Sequence, residues 1–445
     1  MRRRLFRSVV ALFLALFLVM ASGPYWVTAV GIPRQLKVFP GMELSLDLKP
    51  PFRLFAQDGT EVTGSLFNTE ELGRSTYRLS LFGWLPISEV VVDVVPLIRV
   101  YPGGQSIGVL LSTDGLVVSQ VGGVLGLDGR EYFPARDGGI EAGDILLSVE
   151  GYPLHRAEQV SPLINSLAVN KEKLTFLVRR GNRIISCEVT PVRALRTDVF
   201  GRSSTDYLLG IYLEDPAAGV GTMSFYDEGS GRFGALGHTI TDSLGRPIRI
   251  ATGSIVEASI DSIRPGSRGS PGEKIGFFHG EQDVLGSIDS NSGFGIFGQL
   301  KKPFTHPHFP EPVPVAFAHQ VREGPAEIYT VISGNNIERF TVNIIKVNNQ
   351  SRPSDKGLVI QVTDPRLLKV TGGIIQGMSG SPILQNGMLV GAVTHVFVND
   401  PTKGYGSFAE WMVYEAGLRE ELPAKQSISW EGFFLIIEKV FSNLM

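Results

Sequence analysis

Short apolar runs of four to nine residues, broken by Gly, Pro and Asx turns, fill most of this chain. That pattern predicts a mainly β protein. Between Leu36 and Pro96 the runs are strand-length and are punctuated by turns such as Phe39-Pro40-Gly41 and Asp58-Gly59, which predicts a small all-β domain. Later, Ile184-Ile185-Ser186-Cys187-Glu188-Val189 and Leu358-Val359-Ile360-Gln361-Val362-Thr363 read as further strands. Three stretches depart from the strand pattern. Residues 157–167 read as a helix, and Trp430, Phe433, Phe434, Ile437, Val440, Phe441 and Leu444 recur at helical spacing. At the start, Arg2, Arg3, Arg4 and Arg7 precede an apolar run from Val9 to Met20, and no charged side chain returns until Arg34. This is an export signal, and the uncharged stretch is long enough to be kept as a membrane anchor with the body outside.

A chain of 445 residues exceeds one hydrophobic core, so several domains are expected. With 52 glycines and 27 prolines the composition again favours strands and turns over helix. The formal net charge is −3, which supplies no basic field for nucleic acid and points to protein partners. Cys187 is the only cysteine and reads as an alternating strand residue. No Cys/His cluster has structural-zinc spacing, and His306-x-His308 sits among prolines. No metal or organic cofactor is expected.

The chemistry concentrates between Gly372 and Gly406. There a strand-like run enters a Gly-rich corner at Gln376-Gly377-Met378-Ser379-Gly380-Ser381-Pro382 and leaves through an Asn386-Gly387 hairpin turn. Small residues around Ser379 let the main-chain N–H groups of Gly377 and Ser379 point at one spot, where they would stabilise an oxyanion. This run resembles the serine corner of chymotrypsin-like proteases, with Met378 in place of the usual acid. In that resemblance Thr394 and His395 fall on the strand lining the substrate pocket.

Ser379 needs a base, because a hydroxyl is a poor nucleophile at neutral pH. Among seven histidines, His238 in Phe233-Gly234-Ala235-Leu236-Gly237-His238 is the best placed, and His395 is its competitor. A third group must orient the histidine. Asp242, Asp261, Asp283, Asp289, Asp355 and Asp364 lie between His238 and Ser379, and Asp364, at the end of an apolar strand, is preferred. Gly266-Ser267-Arg268-Gly269-Ser270-Pro271-Gly272 is read as a glycine-rich loop, since no Asn-Gly hairpin comes after it.

Upstream, Pro134-Ala135-Arg136-Asp137-Gly138-Gly139-Ile140-Glu141-Ala142-Gly143-Asp144-Ile145 resembles the PDZ signature. A PDZ groove adds an extended peptide as a strand. Ser106, Ile107, Gly108 and Val109 are expected to hold that peptide, with the helix from Ala157 as the other wall.

Phe233–His238, Val362-Thr363-Asp364-Pro365, Thr371–Ile383 and Gly391–Gly406 together resemble the stage IV sporulation protein B (SpoIVB) peptidases of endospore-forming Firmicutes. The order of signal anchor, PDZ domain and peptidase domain resembles that family too. The resemblance implies a serine endopeptidase sent across the inner forespore membrane. There it cleaves a membrane-bound regulator of an intramembrane protease, and so triggers processing of the late mother-cell sigma factor precursor. It also implies self-cleavage and control by a PDZ ligand. Carried over by motif, His238 is the base, Ser379 the nucleophile and Asp364 the orienting acid.

The expected layout is a signal or anchor at 1–32, a small β domain at 33–97 and a PDZ domain at 98–193. A chymotrypsin-like double β-barrel peptidase comes next at 198–425, and an amphipathic helix at 426–445 docks on the body or a membrane. A reading from another class is a non-catalytic PDZ adaptor whose protease-like body is inert.

Overall fold

The computed structural model describes residues 35–418, apart from 43–47, 63–71, 113–114, 198–202, 215–217, 243–244, 249, 251, 279–282, 303, 349 and 351–352. The N-terminal segment and the C-terminal helix predicted above lie outside the described residues.

Residues 35–97 hold a five-stranded sheet in the order Gln35–Val38, Leu85–Val94, Gly73–Leu81, Phe52–Phe55, Glu61–Val62. The alternation of its strands buries Leu36, Val38, Leu54, Leu79, Val90, Val92 and Val94 in a core of their own. This unit is separate from the one formed by residues 98–418.

Twelve strands of the second unit form two barrels. The first uses β1 (Ser106–Ser112), β2 (Ala218–Tyr226), β3 (Arg232–Ala235), β4 (Thr252–Glu257), β5 (Val284–Ser292) and β6 (Gly295–Leu300). Its strands pair in the ring order β1-β2-β3-β6-β5-β4. The second uses β7 (Gly324–Val331), β8 (Ile337–Val347), β9 (Leu358–Val362), β10 (Pro382–Gln385), β11 (Met388–Val396) and β12 (Lys403–Phe408), closed as β7-β8-β9-β12-β11-β10. The two rings share one connectivity, each strand of the second being the sixth after its counterpart in the first. Two antiparallel barrels of the same topology make a chymotrypsin-like double β-barrel, as expected from sequence. Closure leaves neither barrel an open edge among these strands.

Inward residues of every strand fill each barrel. Ile107, Val109, Met223, Phe233, Ile255 and Ile296 pack in the first, and Ile328, Phe340, Val342, Ile360, Ile383 and Val393 in the second. Between β4 and β5 a hairpin, Ser259–Arg264 with Glu273–Phe277, reaches across to the second barrel. Its bridges run from Ile260 to Gly334 and from Glu273 to Gln376.

The PDZ-like segment is an insertion rather than a preceding domain. It lies between β1 and β2. Its sheet runs Arg183–Val189, Leu174–Arg180, Ile145–Val149, Leu116–Val121, Ile211–Glu214, covered by the helix Ala157–Ala168. Leu116, Val118, Leu146, Ile164, Phe176 and Val178 belong to its separate core. The boundaries expected at 98 and 193 are therefore corrected. Residues 99–112 belong with the barrel, and the insert continues to Glu214, because Ile211–Glu214 pairs with Leu116–Val121.

Candidate active site

The chain leaves β3 through Leu236 and Gly237, both left-handed with φ of 71° and 72°. A leucine in that conformation is strained, and the strained turn directs His238 out of the barrel wall. Gly237 has no room for a side chain, since a Cβ there would meet Thr394 Cγ2 at 2.9 Å. His238 is thus delivered against β11 of the second barrel. Its ring lies 4.7 Å from that of His395, centroid to centroid, tilted by 39°.

Ser379 reaches the same strand from the other side. Its Oγ donates to Thr394 O at 2.7 Å, and the Gly380 N–H donates to Val393 O at 2.7 Å. Ser379 is half-buried, while Met378 before it is fully buried in the second-barrel core. The position that holds an acid in chymotrypsin-like enzymes is here a packing residue.

The corner works as a main-chain cradle. Gly377 and Gly380 adopt φ of 89° and 95°, which only glycine takes without strain. Met378 N–H donates to Ile375 O, and Ser381 N–H and Oγ both donate to Met378 O. Among the described residues, the N–H groups of Gly377 and Ser379 meet no protein acceptor. Because peptides are planar and trans, fixing Met378 O on one side fixes the Ser379 N–H on the other. Two unpaired donors flank the hydroxyl, which is the geometry an oxyanion requires.

His238 Nδ1 lies 2.9 Å from Thr239 O, so Nδ1 carries the proton and Nε2 is left as a bare acceptor. Burial lowers its pKa, against opposing effects of the Thr239 carbonyl and the Asp355 charge. The ring is therefore neutral at pH 7 and fit to accept a proton. His395 is also lowered, by burial, then by His238, and is countered by Asp355. Its Nδ1 is buried without a hydrogen bond and lies 3.8 Å from Asp355 Oδ2.

The carboxylate beside the histidines is Asp355, not Asp364. Strand register explains the correction. Leu358 pairs with Gly406, and Gly406 with Val393, so the start of β9 is level with Thr394. Asp364 lies six residues further along, roughly 20 Å of extended chain. There its Oδ1 accepts from the N–H groups of Arg366 and Leu367 at 3.0 Å each, capping the helix Pro365–Thr371. Asp355, just before β9, has its own carbonyl bonded by Thr394 Oγ1 at 3.2 Å. It was visible in the sequence as one of six aspartates, but only pairing register separates it from Asp364.

Thr394 and His395, expected at the substrate pocket, lie on β11 beside Ser379 and His238. Two other described histidines have structural partners, His306 on Gly103 O and His308 on Ile337 O. Ser106, Ile107, Gly108 and Val109 are not a peptide groove. They lie within β1, paired with β2 on one side and β4 on the other, so no edge is free to add a strand. Among the described residues no three His, Cys, Asp or Glu side chains come together as a metal site.

Residues 205–413 match the family model described as SpoIVB peptidase S55. The chain carries a SpoIVB-type serine peptidase domain. No curated protein matches the chain at a significant level. Solved structures similar to it include the Rv3671c protease of M. tuberculosis in its active form, 18% identical over 48% of this chain and 78% of that one, with a TM-score of 0.25. A serine-to-alanine mutant of Rv3671c in an inactive form is 16% identical over 46% and 85%, again at 0.25. The Rv3671c protease in its inactive form is 18% identical over 44% and 84%, at 0.23. The family match begins at residue 205, within the insert, so β1 of the first barrel lies outside the matched range.

Proposed function

We propose that this peptidase is an exported endopeptidase of sporulation, with Ser379 as nucleophile and His238 as general base. The observation that carries the reading is the Gly377–Ser379 corner, with two unpaired N–H groups facing outward and His238 brought to the same strand. When a substrate carbonyl occupies the cradle, the Ser379 hydroxyl turns from Thr394 O to His238 Nε2. The proton passes to Nε2, Oγ attacks the carbonyl carbon, and the oxyanion is held by the N–H groups of Gly377 and Ser379. Thr239 O and the Asp355 charge stabilise the imidazolium, which then protonates the departing amine. Water reverses these steps on the acyl-enzyme.

The substrate we assign is a membrane-bound protein that restrains an intramembrane protease, whose release leads to processing of the late mother-cell sigma factor. The SpoIVB family match and the predicted export segment support this reading, as does a formal net charge of −3, which favours a protein substrate over nucleic acid. Self-cleavage belongs to the same proposal. A docking peptide is assigned to the edge strand Ile211–Glu214, which comes after Gly210 at φ 70° and has Leu116–Val121 on its other side.

The test is labelling by a fluorophosphonate probe together with cleavage of a peptide library. Wild type is expected to label and cleave, Ser379→Ala to do neither, and His238→Ala to fall at least about a thousandfold in kcat/KM. His395 has an observation of its own in favour of a base role, its place 3.8 Å from Asp355. Should His395→Ala be dead and His238→Ala active, the base is His395. Cleavage that survives Ser379→Ala overturns the reading.

A further inference from the structure

Beneath the nucleophile corner lies a group that the reaction scheme does not use. Lys274, on the strand Glu273–Phe277, is buried, and among the described residues it makes no ion pair. Its Nζ lies 2.8 Å from Thr330 Oγ1 and 3.4 Å from both Ser106 Oγ and Thr222 Oγ1. These three hydroxyl residues are buried as well. An ammonium without a counter-charge is unfavourable to enclose, and an apolar side chain of the same length would fill the space at a lower free energy. Such a cost is tolerated where the group serves the site.

Its connections lead to Gly377. Lys274 N–H donates to Gln376 O at 3.0 Å, which turns the Gly377 N–H outward across the planar peptide. Thr222 Oγ1 donates to Gly377 O at 2.7 Å, and Thr222 N–H donates to Ser379 O at 2.9 Å. Thr222 Oγ1 has one proton and directs it onto Gly377 O, so toward Lys274 Nζ the hydroxyl can only accept, and Nζ donates to it. The aliphatic stem of Lys274 lies directly against Gly377, where a Cβ would be 3.1 Å from it. The geometry points to Lys274 as a positioning residue of the peptidase: with Thr222 it clamps the peptide groups on both sides of Gly377 so that the Gly377 N–H faces the substrate carbonyl. This rests on Ser379 being the nucleophile.

The experiment compares Lys274→Met, Thr222→Val, Thr222→Ser and Lys274→Met/Thr222→Val in the full chain, with Ser379→Ala as control. Each is read by kcat, KM and a thermal melt. Loss of an aligned oxyanion donor affects the transition state, so Lys274→Met and Thr222→Val should each lose about 10- to 100-fold in kcat with KM within about twofold. Lys274→Met should melt no lower than wild type, which separates positioning from scaffolding. Thr222→Ser, which keeps the hydroxyl, should retain at least about half of kcat, and the double variant should be within about threefold of the worse single one. A folded Lys274→Met with kcat within about twofold of wild type overturns the assignment. If Lys274→Met does not fold, the threonine pair decides, and a folded Thr222→Val with full kcat overturns it. Should Ser379→Ala still cleave, the nucleophile reading fails, an outcome distinct from full activity in Lys274→Met beside a dead Ser379→Ala.

Discussion

Two aspartates nine residues apart, Asp355 and Asp364, do different work because β9 carries them to opposite ends of the barrel. Asp355 acts on His238 by charge, while Thr239 O already fixes the tautomer. Asp355→Asn is therefore expected to lower kcat/KM by about 10- to 100-fold, less than where a carboxylate alone orients the base. The sign of its pH effect comes from the same geometry. Asp355 raises the His238 pKa against burial, so removing its charge moves the acid limb of kcat/KM further below the ordinary 6.5. Asp364→Ala should instead cost about 1 kcal/mol of stability as a lost helix cap and leave kcat/KM within about twofold. A dead Asp364→Ala beside an active Asp355→Asn would reverse these roles. Lys274 adds a pH dependence of stability. Burial draws its pKa from 10.5 down to about 7, and Ser106, Thr222 and Thr330 face it from β1, β2 and β7. On its own strand Glu273 is paired with Arg264. Between pH 7 and 10.5 the unfolded chain binds the proton that the folded chain resists, so this group makes stability rise with pH across that window. Below it the penalty is fully present. Denaturant titrations of wild type should show the rise, and Lys274→Met should flatten it.

At the scale of elements, the nucleophile corner is held by glycines whose needs differ. Gly380 lies so close to Thr222 O and Leu236 N that a Cβ collides with main chain from both. Gly377 meets only the flexible stem of Lys274, and its constraint is φ. Gly380→Ala should therefore disturb folding itself, with a lowered melting temperature, whereas Gly377→Ala should leave a folded protein of lower kcat. Equal melting temperatures for the two variants would contradict this. The corner was legible in the sequence because its chemistry is local, in the glycines, the serine and the Asn386-Gly387 turn. His238 was legible for the same reason. Lys274 was not, because Glu-Lys-Ile-Gly-Phe reads as any edge hairpin. Its burial arises only when the strand after the Gly266–Gly272 loop crosses to the second barrel and lies beside Gln376. The β1 segment was misread for a related reason. Its apolar Ser-Ile-Gly-Val pattern fits a peptide-binding edge and a barrel wall equally well, and only its pairing with β2 and β4 distinguishes them.

For the whole molecule, the insert between β1 and β2 poses the question of what it contributes. Ala218, the first residue of β2, is paired with Leu110 near the end of β1, so the two strands meet as the arms of a hairpin whose loop has been expanded into a domain. The insert has its own core, and its entry and exit come from adjacent positions, the arrangement in which insertion disturbs a host least. Replacing residues 113–217 by a short Asn-Gly turn should therefore leave the two barrels folded, with a cooperative melt. Yet the same two strands carry Ser106 and Thr222, which hold Lys274 and the nucleophile corner. From the junction at Ala218, a displacement need travel only along β2 to Thr222 and across one hydrogen bond to reach Ser379 O. Fluorophosphonate labelling of the shortened protein, measured against wild type, separates two roles for the insert. The resting contacts of Thr222 are made by the barrel alone, so labelling of Ser379 is expected to persist within about fivefold, with the insert governing which proteins are cut rather than whether the corner is formed. A folded shortened protein that no longer labels would show instead that the insert is needed to hold β1 and β2 in the position from which Thr222 orders the turn.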